Sequence, residues 1–568
     1  MSAAPVAPLA TVHAPARPKP PWGVKTPLRL DRWRYFLDKL DKGQLTEPHL
    51  HVLHGIEYGF SYRSHKIIDK TCIYDNLPSA LAEPDVIDRA IAKETAAGRY
   101  LGPYTKSEVE NFLGPFIAHP IGIVRKDEHS KPRLIEDLSH PHKGPVLSLN
   151  AQTDISGLTV NWGGMTEMTR LVVNAKPGAQ GATIDIEGAF RTIGVSPSEF
   201  WLGVIGWRER FHIDTATKFG GKGSSHMFEP PADTFCKIVE EELDDIDTTR
   251  WADDITLCRE PINDEPPYRY LHDTQDVVAI GNDLGFPFSR VNKFSPITKY
   301  IGFLWYWDTK VVELPKEKQE RTRELVVKTQ GIGCTNLKDV RSLCGKLSHV
   351  ALIVPEGRVH LRSLWKMLSK MESTDMHPNT LWKFLDQQDD DLSWWDEYLA
   401  KPKVTMQLCT MRIPDNSLGL FCDASSSYGI GIVIDGFYDS LKFVQNWRTA
   451  LNTSRDIGWA EALALELLIT FLFESRPLYN AHLLVHTDNT GVIGAWNKRS
   501  SRNEGTNTII GRILRILLHN QCFLSLTYIE SAVNPADAPS RGGAAPGLTK
   551  KAFKGFPVTY KNILYRPT

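Results

Sequence analysis

The chain has 568 residues, of which 42% are hydrophobic and 23% charged, and its formal net charge at pH 7 is −1. A chain of this length exceeds a single hydrophobic core and should divide into about three or four domains. A net charge near zero gives the protein no overall attraction to nucleic acid, because Lys and Arg carry most of the affinity for phosphates. Any nucleic-acid site would therefore need a local basic groove.

Cysteine use and the start of the chain bear on the cellular compartment. The eight cysteines form no C-x-x-C pair, which argues against a zinc knuckle or a disulfide framework and fits a reducing environment. The first residues lack the basic and apolar regions of a signal peptide, and no run of about 18 apolar residues occurs. We therefore expect an intracellular protein, in the cytoplasm or the nucleus, without a membrane partner.

Residues 1–115 contain no motif that indicates a function. Residues 1–27 hold seven prolines and cannot bury a core, so we expect a disordered Pro/Ala-rich tail. Residues 28–115 form an N-terminal region of unknown role, in which 85–97 has a helical pattern.

Two β-rich runs, at 121–126 and 131–139, surround a short polar turn and predict a hairpin. Its cations, Arg125, Lys126, Lys131 and Arg133, should cluster around the turn. Such a cluster is either simply solvated or clamps a polyanion such as a triphosphate, and the hairpin alone does not decide between the two.

Three carboxylates stand at the ends of strand-like runs. Asp253 and Asp254 interrupt the run at 250–257, and because Asp is a poor strand former the pair predicts a tight turn that delivers both carboxylates into a cleft. Taken alone, the pair is better explained by a solvated hairpin turn, because Asp-Asp pairs are common. Asp185, which ends a β-branched run, adds a third carboxylate. Three such groups favour a site for Mg²⁺, which prefers oxygen ligands and leaves room for water and substrate phosphates.

A glycine-rich segment at 219–228 opens a predicted helix that runs to about residue 243. Glycines let a backbone approach a ligand closely, and a helix N-terminus favours anions. The segment matches neither a Walker loop nor a Rossmann fingerprint, so it is weak evidence alone. A helix at about 271–284, a turn at 284–287 and a last apolar strand at 300–305 complete this part of the chain.

The ordered set, from basic hairpin through strand Asp, glycine-rich loop and Asp-Asp turn to the last strand, resembles the fingers and palm of retroelement reverse transcriptases over about residues 115–310. The resemblance implies that Asp185, Asp253 and Asp254 bind catalytic metal ions. It also implies substrate roles: Lys126 and Arg133 at the triphosphate, Phe190 as an aromatic gate against the sugar, Phe219 and Gly220 in the loop beside it, and Lys293 as the lysine proposed to protonate pyrophosphate.

Two positions depart from the family pattern. Trp251-Ala252 stands where the family usually has Tyr-x before the Asp pair, and this loses a hydroxyl. Lys218-Phe219-Gly220 replaces the retroviral Pro-Gln-Gly and is nearer to the form found in DIRS-like elements. Neither change removes a metal ligand.

The sign of the charge then changes along the chain. Residues 316–370 hold 12 Lys or Arg and 5 Asp or Glu on helical patterns such as 337–350, a balance of 12 − 5 = +7. This is where the family's thumb grips a duplex, although an ordinary charged helix surface has the same pattern. Residues 371–400 hold 8 acids and one Lys, so this piece, a connection, should face solvent or protein.

A second set of carboxylates lies nearer the C-terminus. Asp423 and Asp488 end strand patterns, Glu461 lies in a helix pattern, and Asp537 lies in a turn at 534–541. In order they resemble the Asp, Glu, Asp, Asp pattern of ribonuclease H over about 413–545, which implies four ligands around two metal ions. Glu461 is preferred over Glu466 by the small-residue spacing after it. A nearby basic surface is formed by Lys498, Arg499, Arg502, Arg512 and Arg515.

These observations predict an α+β and α/β multidomain protein, a right-hand polymerase followed by a ribonuclease H-like domain. The predicted divisions are the tail at 1–27, the N-terminal region at 28–115, fingers and palm at 116–312, thumb at 313–372, connection at 373–412, the ribonuclease H-like domain at 413–545 and a C-terminal tail at 546–568. The resemblance implies the reverse transcriptase and ribonuclease H of a DIRS-like or related retrotransposon. Its cofactor would be Mg²⁺, two ions per site with Mn²⁺ as an alternative, and its partners an RNA template, a DNA primer, an RNA–DNA hybrid and dNTPs.

Two alternatives stay open. A catalytically inactive scaffold that binds nucleic acid would keep the fold, as a spliceosomal core protein does, but decay removes carboxylates first and all seven remain here. A host-domesticated polymerase would keep the chemistry without serving a mobile element. A domesticated polymerase and the polymerase of a mobile element would have the same sequence features.

Overall fold

The computed structural model describes residues 20–64, 68–125, 130–143, 147–160, 162–374, 376–408, 414–448 and 455–567. The chain divides into two compact units. The first comprises the residues up to Ile301 together with Tyr306–Thr309, and the second comprises Gly302–Trp305 together with Lys310–Thr568. Among the described residues, no helix is long and apolar enough to cross a membrane.

The first unit mixes helices with short strands. Its helices are α1 (Leu30–Leu40), α2 (Glu47–Tyr58), α3 (Pro78–Ala82), α4 (Pro84–Ala96), α5 (Lys106–Leu113), α6 (Leu149–Gln152), α7 (Met165–Asn174), α8 (Ser224–Glu242) and α9 (Thr274–Leu284). Its strands are β1 (Cys72–Ile73), β2 (Tyr100–Tyr104), β3 (Ile117–His119), β4 (Ile121–Val124), β5 (Arg133–Glu136), β6 (Gln180–Ile186), β7 (Val204–Trp207), β8 (Arg210–Asp214), β9 (Ile246–Trp251), β10 (Asp254–Arg259), β11 (Phe288–Val291) and β12 (Ile297–Tyr300).

The N-terminal region shares a sheet with the region predicted to form fingers and palm. This five-stranded sheet has the order β1-β3-β7-β8-β2, so its strands come from both sides of the predicted boundary at 115. The predicted tail was wrong for its described end, because Trp22 packs against Tyr104 and Phe112 and Thr26 donates a hydrogen bond to the carbonyl of Thr192. Residues 1–19 lie outside the described part of the chain.

A four-stranded sheet of order β11-β6-β10-β9 carries the first set of predicted site residues. Ile184 of β6 and Ile255 of β10 are fully buried and share one core with Phe235 and Ile238 of α8. β9 and β10 form an antiparallel pair whose turn includes Ala252, at a φ of +53°. Burial of one face of the sheet therefore fixes the register that brings the strand ends together.

The predicted hairpin is confirmed, since β4 and β5 pair antiparallel. The predicted single strand at 300–305 was wrong. β12 ends at Tyr300 and β13 begins at Phe303, and both Ile301 (φ +43°) and Gly302 (φ +80°) between them adopt left-handed backbone conformations that end a strand.

The second unit holds the remaining elements. Its helices are α10 (Lys316–Ile332), α11 (Leu337–Val350), α12 (Arg362–Glu372), α13 (Asp386–Leu399), α14 (Ile457–Ser475), α15 (Thr490–Lys498), α16 (Glu504–His519) and α17 (Asp537–Ser540). Its strands are β13 (Phe303–Tyr306), β14 (Val311–Glu313), β15 (Cys334–Thr335), β16 (Trp382–Lys383), β17 (Thr405–Gln407), β18 (Asp415–Ala424), β19 (Gly429–Ile434), β20 (Phe437–Phe443), β21 (His482–Thr487), β22 (Phe523–Tyr528), β23 (Thr549–Lys550) and β24 (Leu564–Tyr565).

A mixed sheet organises the second unit. Its order is β22-β21-β18-β19-β20-β23, and β24 also pairs with β20. The pairs within β18-β19-β20 are antiparallel, whereas β21 runs parallel to both β18 and β22. Because β23 and β24 pair with β20, residues 546–568 contribute to this sheet, whereas the sequence predicted a C-terminal tail outside the domain at 413–545.

Helix α14 packs on β18 and β19 and is buried on most of its surface, including two of its three glutamates, Glu461 and Glu466. A buried carboxylate must be paired, hydrogen-bonded or bound to a metal ion, because an isolated one is expensive to desolvate. The partners of these two side chains therefore distinguish their roles.

Candidate active sites

The first carboxylate site, Asp185, Asp253 and Asp254, lies where β6 and β10 meet the turn after β9. Asp254 is the register partner of Asp185 across the antiparallel pair, and Asp253 is the turn residue just before it. The backbone N–H of Ile186 donates to the carbonyl of Asp253 at 3.3 Å. The strand pairing thus brings together the three carboxylates that the sequence singled out.

Strand β11 supplies polar neighbours to this site. Ser289 Oγ donates to Asp185 Oδ2 at 2.7 Å, and Arg290 Nη2 lies 3.3 Å from Asp254 Oδ1. Burial raises the pKa of Asp254 to about 6, with Arg290 opposing the shift and the charges of Asp185 and Asp253 adding to it. Burial, followed by the charge of Asp185, also raises the pKa of Asp253.

These features fit a divalent cation. The donor set consists of carboxylate oxygens alone, the ligands that Mg²⁺ prefers, and burial together with the neighbouring carboxylates raises the pKa of Asp253 and Asp254. The three carboxylates are neighbours, but they are not among the described groups whose three ligand atoms all lie within 4.8 Å of one another. A bound ion would have to compete with Arg290 for one oxygen of Asp254.

The aromatic rings that the sequence singled out pack against one another. The ring of Phe190 packs edge-on against Phe219 at 5.2 Å and Phe228 at 5.6 Å between centroids. Phe219 is 55% exposed, and Gly220 after it has a φ of +83°. Lys293 is exposed beyond the end of β11.

Trp251, the departure from the family pattern, keeps an aromatic ring at the end of β9. It packs edge-on against Trp162 at 5.2 Å between ring centroids and remains 44% exposed. The indole therefore has a packing role at this turn that needs no hydroxyl.

The described cations of the basic hairpin have different surroundings. The guanidinium of Arg125 pairs with Glu83, so this charge is already engaged. Lys131 and Arg133 are exposed, and Lys126 lies outside the described residues. Of the two cations implied for triphosphate binding, Arg133 is thus exposed on β5 and Lys126 has no described position.

Sequence reasoning missed a buried ion network in the same unit. Lys218, only 2% exposed, donates from Nζ to Glu136 Oε2 at 2.6 Å and to Asp214 Oδ2 at 2.7 Å. Arg191 pairs with the same Asp214 at 2.9 Å and with Glu94 at 2.8 Å. The one available signal was the spacing of Asp214 and Lys218, four residues apart.

The network ties the hairpin strand β5 to the glycine-rich loop. Burial raises the pKa of Glu136, with Lys218 opposing the shift. Burial also favours a higher pKa for Asp214, but the charges of Arg191 and Lys218 outweigh it, so the pKa of Asp214 is lowered. Together with Phe219, Gly220 and residues of β5, members of the network line a cavity of about 460 Å³.

The second carboxylate site, Asp423, Glu461, Asp488 and Asp537, is more compact. Asp423 near the end of β18, Glu461 on α14 and Asp488 just after β21 each bring one oxygen within 4.8 Å of the others. Because β18 and β21 are parallel neighbours, their C-terminal ends lie at the same edge of the sheet. Asp537 begins α17 and is not part of this group of three.

Two carboxylates of the second site have raised pKa values. Burial raises the pKa of Asp423 to about 6. Burial, with the charges of Asp423 and Asp488, raises the pKa of Glu461 to about 9. The buried Oε2 of Glu461 has no hydrogen-bond partner among the described residues. A divalent cation would satisfy this oxygen, so the residues present fit a metal ion.

Asp537 and Glu466 are held differently. Arg541 lies 2.9 Å from Asp537, and the pKa of Arg541 is raised by its hydrogen bond to Asp537 and further by the charges of Asp423 and Asp488. Glu466 is bound by Arg512 at 2.6 Å and by the hydroxyl of Tyr560. Glu466 therefore has its charge compensated within the core, whereas Glu461 lies with the aspartates.

Comparisons with known proteins found similarity to solved structures alone. No family model matches the chain, and no curated protein matches it. It is similar to a foamy viral protease-reverse transcriptase in complex with an RNA/DNA hybrid, with 13% identity and a TM-score of 0.47 over 88% of this chain and 62% of that chain. This chain thus spans less than two thirds of that protein's length.

Two further solved structures match over most of both chains. A foamy viral protease-reverse transcriptase dRH in complex with double-stranded DNA has 13% identity and a TM-score of 0.47, over 92% of this chain and 84% of that chain. The foamy viral protease-reverse transcriptase in complex with double-stranded DNA has 14% identity and a TM-score of 0.42, over 90% and 99%. At this distance, the chemistry of the chain must be inferred from its own side chains.

Proposed function

We propose that the chain is an RNA-directed DNA polymerase joined to a ribonuclease H, which copies RNA into DNA and degrades the RNA strand of the hybrid. The observation that supports it most is the pairing of Asp254 with Asp185 in the strand register, with Asp253 at the adjoining turn. A separate carboxylate set in the second unit supports the nuclease activity. Assignment to a DIRS-like retrotransposon rests on the sequence resemblance, and intracellular localisation on the cysteine pattern.

For polymerisation, Asp185, Asp253 and Asp254 would hold two Mg²⁺, with Mn²⁺ as an alternative. Bound there, the ions would lower the barrier to attack by the primer 3′ hydroxyl and neutralise the pyrophosphate. The protein's own contribution is positioning and charge placement. Phe190 would pack against the dNTP sugar beside Phe219 and Gly220, Arg133 and Lys126 would bind the triphosphate, and Lys293 would deliver a proton to the leaving pyrophosphate.

For hybrid cleavage, Asp423, Glu461 and Asp488 would hold the metal ions, with Asp537 as the fourth ligand. Asp537 must leave Arg541 to take this role, so Arg541 sets the free-energy cost of completing the site. The RNA template, the DNA primer, the hybrid and the dNTPs are the proposed partners.

Primer extension tests the polymerase directly. The full chain is given an RNA template, a DNA primer, dNTPs and Mg²⁺ or Mn²⁺, and we expect extension that EDTA stops. Absence of extension with both metals would overturn the proposal.

One observation favours a second candidate, an inactive scaffold that binds nucleic acid. Arg290, 3.3 Å from Asp254, partly neutralises a carboxylate that a polymerase needs for metal. The scaffold would bind a primer–template without extending it, and the Arg290→Gln variant would stay inactive. Extension by the unchanged protein would exclude it.

A further inference from the structure

The second unit contains a concave surface of about 830 Å³, lined mainly by α12 and by the 3₁₀ helix before it (Pro355–Leu361), together with the end of α15. We call it the α12 groove. Among the described residues that line it, five are basic, none is acidic, and four are serines. Its characteristic side chains are Arg358, Arg362, Trp365, Lys366, Lys370 and Lys498. The groove is distinct from both carboxylate sites.

The basic side chains of α12 form a row. Arg362, Lys366 and Lys370 are four residues apart, so they lie one above another on one face of the helix. Trp365 lies within the same groove and is 47% exposed. The groove thus combines a line of cations with an accessible indole.

The positive charge of the α12 groove is poorly compensated within the chain. Its one described ion pair joins Lys366 to Glu504 at 3.1 Å, and both side chains are largely exposed, so the pair is weak and replaceable. Arg362 donates to the backbone carbonyl of Arg502, which leaves its charge unpaired. Burial, together with the charge of Arg358, lowers the pKa of Arg499 to about 10, as expected where two guanidiniums lie close without a carboxylate between them.

We propose that the α12 groove binds an unpaired strand of RNA or DNA, with a base stacked on Trp365 and phosphates along the row of Arg362, Lys366 and Lys370. A basic groove that follows a backbone, combined with an exposed aromatic ring, is how proteins hold single strands without reading their sequence. In a duplex the bases stack on one another and leave no face for the indole. The inference goes beyond the proposed catalysis and does not depend on it.

Binding of short labelled strands by the full chain in EDTA tests the groove apart from either activity. Fluorescence anisotropy is measured with a 12-nucleotide oligo(dT) and with a 12-base-pair RNA–DNA duplex. Trp365→Ala should weaken oligo(dT) binding by about tenfold, since a base–aromatic stack contributes about 1–3 kcal/mol, and should change duplex affinity less than about twofold. Trp365→Phe should retain most of the affinity.

The charged residues have a separate readout. Lys370→Gln and Lys498→Gln should each lower the slope of log affinity against log salt by about 0.7 for the single strand. Matched controls are Tyr479→Ala, which removes another exposed aromatic ring of the same unit, and Lys561→Gln, which removes an exposed cation elsewhere in that unit. Both controls should leave binding of the single strand unchanged.

Equal losses of strand and duplex affinity in Trp365→Ala would overturn the proposal and show a general polyanion surface. No loss of strand affinity would overturn it as well. If Trp365→Ala fails to fold, photo-cross-linking of a 5-iodouracil strand to the unchanged protein decides. The cross-link should map to the tryptic peptide 363–366, and its absence there would overturn the proposal.

Discussion

Asp254 faces Asp185 across neighbouring antiparallel strands, and Arg290 of the next strand lies 3.3 Å from Asp254. Two carboxylates in register near a single guanidinium leave negative charge that the protein does not balance. Burial raises the pKa of Asp254 to about 6, and the charges of Asp185 and Asp253 add to the shift. A site with this charge distribution favours a multivalent cation.

The Asp253→Asn variant should abolish primer extension while leaving primer–template binding nearly intact, because one metal ligand is lost and the basic surfaces remain. Extension and anisotropy assays on the same preparation measure the two properties. Asp247→Asn, an exposed position on β9, is the matched control and should extend normally. More than a small fraction of remaining activity in Asp253→Asn would remove the first carboxylate site from the mechanism.

Substitution of Phe190 by Val should increase the use of rNTPs relative to dNTPs. The ring packs against Phe219 and Phe228, and shortening it would make room for a 2′ hydroxyl. We expect the ratio of kcat/KM for rNTP to that for dNTP to rise about tenfold, or about 1.4 kcal/mol. Phe228→Leu, which changes a buried neighbour, should alter both substrates alike. An unchanged ratio in Phe190→Val would show that this ring does not contact the sugar.

Asp488→Asn should stop cleavage of RNA in an RNA–DNA hybrid and spare DNA synthesis, because the two carboxylate sites lie on different units and share no ligand. Gel assays of hybrid cleavage and primer extension give the two rates. Asp415→Asn, exposed at the start of β18, should affect neither. Synthesis that fails together with cleavage would show that the two activities are not independent.

The metal-free protein should lose stability as the pH rises from about 5 to 9. Glu461 has a folded pKa of about 9 against an ordinary value of 4.5, so between these values the folded state binds a proton that the unfolded chain has released. One such proton corresponds to about 1.4 kcal/mol per pH unit, or roughly 4 °C in Tm for a domain of this size.

Comparison with Glu461→Gln isolates this effect from other titrating groups. The variant has no carboxyl to protonate, so its Tm measured in EDTA should fall less steeply with pH by about that amount. Identical slopes for the two proteins would show that Glu461 titrates normally.

Lys218→Met should destabilise the first unit by about 3–5 kcal/mol, because Glu136 and Asp214 would be left buried with only Arg191 to compensate them. Urea unfolding measures the change. Lys222→Met, an exposed lysine of the same loop, should change stability by less than about 0.5 kcal/mol. Similar stabilities for the two variants would contradict the role of the network.

The sequence was sufficient where a local pattern decides the structure. α11 follows the predicted range, and Asp185 and Asp423 each lie one residue before the end of a strand, as the strand patterns predicted. The pairing of Lys218 with Glu136 joins residues 82 positions apart, and only the tertiary fold brings them together. Strands as short as β1, with two residues, carry no readable periodicity.

Strand β20 pairs with β19 on one side, and β23 and β24 cover its other edge. Removing residues 546–568 at the boundary suggested by the sequence would expose the backbone N–H and C=O groups of that strand. It would also strip Phe553 and Leu564 from the core beneath. An open edge beside an uncovered apolar surface recruits other chains, so a shortened protein would aggregate for reasons unrelated to its chemistry.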